Sequence, residues 1–96
     1  MSRPAQYKFR LYVADDTLNS AQAVVNLKAL CREYLDGRHH IEIVDVFREP
    51  KRALADAVFM TPTLIRLAPL PMRKIVGTLG QTVSVLQTLG LEALPA

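Results

Sequence analysis

One cysteine, Cys31, is all the thiol this chain of 96 residues has, so it forms no internal disulfide. Thiol–disulfide exchange needs a nucleophilic thiolate and a resolving thiol, and a single sulfur cannot provide both. Only four glycines are present, and no glycine-rich loop stands ready to cradle a nucleotide phosphate. Aromatics are equally sparse, three Tyr and three Phe. The basic residues are scattered from Arg3 to Lys74, with none of the clustered, aromatic-interleaved cation of a nucleic-acid groove. No uninterrupted apolar run approaches the roughly 18–20 residues of a membrane span. The segment Met1-Ser2-Arg3-Pro4-Ala5-Gln6 lacks the apolar stretch of a secretory signal. These absences point to a cytoplasmic protein that contacts neither membrane nor nucleic acid.

What is present belongs to a globular chain: half the residues are hydrophobic and 22% are charged. That length suits one domain, residues 1–96, near the lower limit for a self-sufficient core. The formal net charge of +3 fits a mildly basic face for an acidic protein partner.

The chain alternates from Tyr7 to Val13, with Phe9, Leu11 and Val13 on one face and Lys8, Arg10 and Tyr12 on the other. This predicts a strand well inside a sheet. Asp15 to Ser20 reads as a turn into a helix capped by Asn19 or Ser20. Ala23, Leu27, Leu30, Cys31 and Tyr34 then recur at helical spacing, and Gly37 marks the stop. Ile41 to Phe47 is rich in β-branched residues and predicts a second strand, buried on both faces in a parallel pair. Pro50 opens a short helix reaching about Phe59. Strands are expected at Thr63–Leu67 and Arg73–Val76, antiparallel because a proline-bounded link of few residues joins them. Gln81 to Leu91 is ambivalent. Val83, Leu86 and Leu89 are spaced as in a helix, while Thr82, Val83, Val85 and Thr88 are β-branched. The order βαβαββα predicts an α/β, thioredoxin-like fold without its redox cysteines. In Thr61-Pro62-Thr63, just before a strand, Pro62 is a position for a cis bond.

Candidate chemistry is thin. Ser20, His39 and Asp45 are the residue types of a hydrolase, but no nucleophile elbow surrounds the serine. His39 and His40 are neighbours in an extended segment and point apart, with no ligand set to complete a metal site. Asp15 and Asp16 complement a helix N-terminus. Cys31 sits in the apolar stripe and reads as a packing thiol. No catalytic residue, metal or cofactor is expected.

Leu11-Tyr12-Val13-Ala14, Asn19-Ser20, Val44-Asp45-Val46, Pro50, Thr61-Pro62-Thr63-Leu64, Pro69-Leu70-Pro71 and Arg73-Lys74-Ile75-Val76-Gly77 appear in an order that resembles the KaiB family, from about Phe9 to Leu91. The resemblance implies a non-enzymatic regulator that docks on a KaiC-like ATPase. It also implies KaiA, or a histidine kinase with a thioredoxin-like sensor domain, as further partners. It implies two fold states as well: a thioredoxin-like monomer and a tetramer with a rearranged C-terminal half. The partner-facing residues it suggests are Arg10, Arg66, Arg73 and Lys74. Departures are present too. Gln22, Glu42 and Ala57 stand where the family carries basic residues, Thr88 and Gly90 where it carries Gly and Asp, and no long acidic tail follows Ala96. These imply a divergent relative, resting mainly in the thioredoxin-like state, whose partner is a different KaiC-like ATPase. A free-standing thioredoxin-like sensor or adaptor for a histidine kinase or stress response is the alternative.

Overall fold

The computed structural model describes residues 6–91; residues 1–5 of the segment Met1 to Gln6, and residues 92–96, lie outside them. Seven elements follow one another: β1 (Tyr7–Val13), α1 (Leu18–Tyr34), β2 (His39–Asp45), α2 (Pro50–Ala55), β3 (Thr63–Ala68), β4 (Arg73–Val76) and α3 (Thr82–Leu89). The four strands form one sheet in the order β2-β1-β3-β4. β1 and β2 run parallel because α1 carries the chain back between them. β3 is antiparallel to both β1 and β4.

Strand alternation sorts the core into two layers. Phe9, Leu11, Val13 and Leu64 face Ala23, Leu27, Leu30 and Cys31 of α1 together with Val85, Leu86 and Leu89 of α3. On the opposite face Tyr12, Val44 and Ile65 meet Ala53 and Val58, in and after α2. Burial of a leucine such as Leu27, fully enclosed, contributes about 2 kcal/mol relative to exposure.

The helices depart from expectation in their ends. α1 starts at Leu18, so Asn19 and Ser20 lie inside its first turn. Thr17 takes the cap position without a side-chain hydrogen bond. The buried Ser20 hydroxyl instead accepts from the Ala14 N–H at 3.0 Å, tying the helix start to the end of β1. α2 stops at Ala55, short of the expected Phe59. Ala57 adopts a left-handed φ of 54° and the Val58 N–H returns to the Ala53 carbonyl, which turns the chain out. Phe59 is left 82% exposed.

β2 is an edge strand, contrary to the expectation of burial on both faces. Its only covered neighbour is β1, and Val44 alone among its residues is buried. The ambivalent last segment is a helix. Val85, Leu86 and Leu89 turn inward while Val83 faces solvent, and Gly90 ends it in the left-handed conformation. The Thr61–Pro62 bond is cis, as are Ala68–Pro69 and Leu70–Pro71.

Candidate functional site

Strand register sets the polar residues in a row. Glu42 on β2 stands beside Arg10 on β1, Arg10 beside Ile65 on β3, and Ile65 beside Lys74 on β4, all on the face that carries α2. Arg10 Nε donates to Glu42 Oε1 at 2.8 Å, and its Nη1 donates to Asp56 Oδ2 at 2.9 Å. Arg52 of α2 donates to the other oxygen of Glu42, again at 2.8 Å. The Tyr12 hydroxyl lies 2.5 Å from Asp56 Oδ2 and 3.0 Å from the Arg52 carbonyl. Two carboxylates, two guanidiniums and a phenol thus fasten α2 to the sheet.

The charges answer to these contacts. Hydrogen bonds from Arg10 and Arg52 hold the Glu42 carboxyl below its ordinary range. At Asp56 burial pushes the carboxyl up, yet hydrogen bonds from Tyr12 and Arg10 outweigh it and the net displacement is downward. Burial, reinforced by the Asp56 hydrogen bond, raises the Tyr12 phenol to about 12. Both carboxyls therefore titrate lower in the folded chain than in the unfolded one. Their stabilisation is complete above about pH 5 and is lost as pH falls through their folded values. We expect the urea midpoint to drop on acidification from neutral pH, and Glu42→Gln to flatten that dependence. A parallel pH profile for Glu42→Gln and the unaltered chain would rule the network out as its source.

The four basic residues expected to share a face are divided. Arg10 is engaged by Glu42 and Asp56. Arg66 is only 6% exposed, turned toward α3, where it donates to the Leu89 carbonyl at 2.7 Å and to the Pro71 carbonyl at 2.6 Å. In this fold the Arg66 guanidinium is thus enclosed and held by two carbonyls rather than turned to solvent. Lys74 is exposed and its ammonium meets the carbonyls of Asp56 and Ala57, closing the C-terminal end of α2. Arg73 is exposed on the opposite face of β4. Among the described residues neither Arg73 nor Lys74 forms an ion pair.

Glu42, which stands where the family carries a basic residue, has its charge compensated by two arginines. Asp56 and Tyr12 carry no sequence signal as polar anchors, since only strand register and the placement of α2 bring them together with Arg10. The hydrolase residue types are not brought together. Ser20 is spent on Ala14, His39 Nδ1 lies 2.8 Å from the Leu35 carbonyl, and the Asp45 carboxylate accepts from the Phe47 N–H. His39 and Asp45 also occupy opposite ends of β2, about 20 Å apart at strand rise. Cys31 is fully enclosed, and burial pushes its thiol up to about 11, so the reactive thiolate is disfavoured. No group of three or more metal-ligating side chains occurs among the described residues. No helix among them is long and apolar enough to cross a membrane.

Comparison with known proteins agrees with this architecture. Residues 10–91 match the KaiB domain family. The circadian clock protein KaiB3 of Synechocystis sp. is 38% identical over 86 residues, covering 90% of this chain and 82% of that protein. The circadian clock oscillator protein KaiB of Synechococcus elongatus is 37% identical over 94 residues, 98% of this chain and 90% of that one. Among solved structures, the N-terminal domain of Synechococcus elongatus SasA superposes with a TM-score of 0.73 at 16% identity, covering 100% of this chain and 94% of that one. Mitochondrial thioredoxin 3 of Saccharomyces cerevisiae gives 0.72 at 18% identity, over 91% of this chain and 80% of that one. The fold is thus thioredoxin-like, and with a family match running from Arg10 in β1 to Leu91 just past α3 the chain belongs to the KaiB family of circadian clock proteins.

Proposed function

We propose that this protein is a non-enzymatic clock regulator that docks on a KaiC-like ATPase through the β4 side of its sheet, with Arg73 and Lys74 as its contact cations. The observation that carries the reading is the family match across residues 10–91, which includes β4 and both cations. Physical support comes from their exposure: neither charge is consumed by a carboxylate among the described residues, unlike Arg10. Arg10 contributes indirectly, by seating α2 against the strand row that ends at Lys74. The buried, raised thiol of Cys31 supports action by binding rather than by bond making. KaiA or a histidine kinase are the further partners this reading carries over from the family. The thioredoxin-like monomer is the docking state, and the rearranged tetramer its counterpart.

Capture of a KaiC-like ATPase by the immobilised protein tests the reading. Arg73→Glu replaces an attraction by a repulsion on an exposed strand, so capture is expected to fall by about tenfold with the fold intact. Undiminished capture by Arg73→Glu would discard the basic-edge docking.

A further inference from the structure

The free edge of β4 carries unpaired backbone in a defined pattern. The Gly77 N–H donates to the Pro62 carbonyl at 2.9 Å, and Val76 stands opposite Thr63 in the adjoining pair. Antiparallel pairs alternate between bonded and non-bonded. Arg73, Ile75 and Gly77 therefore turn their backbone groups to β3, while Lys74 and Val76 turn theirs outward. Beside this edge an open cleft of about 390 Å³ runs between β4 and α3, lined by Ile75, Gly77, Gly80, Val85 and Thr88 among others. Side chains on β4 alternate, with Arg73 and Ile75 on the α3 face and Lys74 and Val76 on the α2 face.

We propose that β4 is a strand-addition site for an extended acidic segment of a partner protein. The segment's backbone pairs with Lys74 and Val76, an apolar side chain enters the cleft beside Ile75 and Val85, and carboxylates reach Arg73 and Lys74. Charge selects this occupant. β4 carries two cations without ion-pair partners among the described residues, whereas the only carboxylate midway along the other edge, Glu42, is already held by Arg10 and Arg52. A second copy of this chain pairing β4 to β4 would bring four cations together, which disfavours it. Main-chain pairing supplies the grip and the alternating side chains supply the choice of sequence. The proposal rests on reading Arg73 and Lys74 as a partner face and specifies what that partner presents.

The test is an amide NMR titration of the nitrogen-labelled full chain with a capped octapeptide of glutamates around one central valine, which sends carboxylates to both faces of the sheet. Its control is the same peptide with lysine for glutamate. Binding is expected to shift the Lys74 and Val76 amides and slow their hydrogen exchange, with no response to the lysine peptide. Val76→Pro removes an outward N–H that the fold does not use, a change an edge strand tolerates. Affinity is expected to fall by about tenfold in this variant and in Arg73→Glu, with amide positions outside β4 unmoved. Equal binding of the lysine peptide, shifts centred on β2, undiminished binding by Val76→Pro or a doubling of hydrodynamic size would each overturn the proposal. The titration contains no ATPase. A protein that captures a KaiC-like ATPase yet leaves β4 unperturbed by the peptide overturns strand addition and leaves ring docking standing.

Discussion

Arg66→Met is expected to lower the stability of the protein by about 3 kcal/mol, through loss of charge-assisted hydrogen bonds. Two effects oppose each other at this position. Enclosing a guanidinium costs free energy that methionine does not incur. Against that, two short bonds hold the carbonyls of Leu89 and Pro71, and each contributes about 1.5–3 kcal/mol when the donor is charged. Leu89 is the last residue of α3, where carbonyls lack helical donors and a cation also meets the negative end of the helix dipole. Methionine fills much of the volume but leaves the Leu89 carbonyl unpaired in a buried place, so the hydrogen bonds should decide the sign. Urea unfolding measures the loss. Hydrogen exchange locates it: amides of α3 and of Leu91, whose N–H bonds the Leu86 carbonyl, should open before those of β1. An unshifted midpoint with α3 still protected would show that Arg66 does not hold the helix down.

Phe9→Ala should cost still more, about 4 kcal/mol, and should act globally. Phe9 is 1% exposed on β1, the strand paired on both sides, and its ring lies against Tyr7 with centroids 6.1 Å apart. Removing the ring opens a cavity beneath both α1 and α3, because both helices pack on this face of the sheet. For a chain of this length total stability is on the order of 5–14 kcal/mol, so a large share would disappear. The expected signature is a lower urea midpoint with the slope of the transition retained. Exchange should accelerate throughout the sheet, in contrast to the local effect at Arg66. A loss under about 1 kcal/mol would mean that the neighbouring side chains collapse into the space.

Much of this architecture is legible in local patterns. The alternation of Phe9, Leu11 and Val13 names the buried face of β1, and the spacing of Ala23, Leu27, Leu30 and Cys31 names the buried stripe of α1. The ends of elements are less legible. Ser20 has the chemistry of a helix cap, but the Ala14 N–H above it is an alternative donor that only the folded turn supplies. The site is legible least of all. Arg10 and Glu42 are 32 residues apart and Arg10 and Asp56 are 46 apart, so no window of sequence contains the network. Arg66 and Arg73 look alike in the chain, yet one is buried against α3 and the other is exposed.

From the sequence by itself follow the order and kind of the first six elements, the want of a second thiol, and membership of a family through motifs that run in register along the chain. Each of these depends on residue types and spacings within a turn of helix or a few strand positions, where side-chain direction is set by backbone geometry alone. Tertiary structure decided which strand lies at each edge, which arginines face inward, and that Gln81–Leu91 holds a helix. Those outcomes turn on which distant surface arrives to cover a given face. Burial and pairing across the sheet are properties of that arrival, and a short stretch of chain carries no record of it.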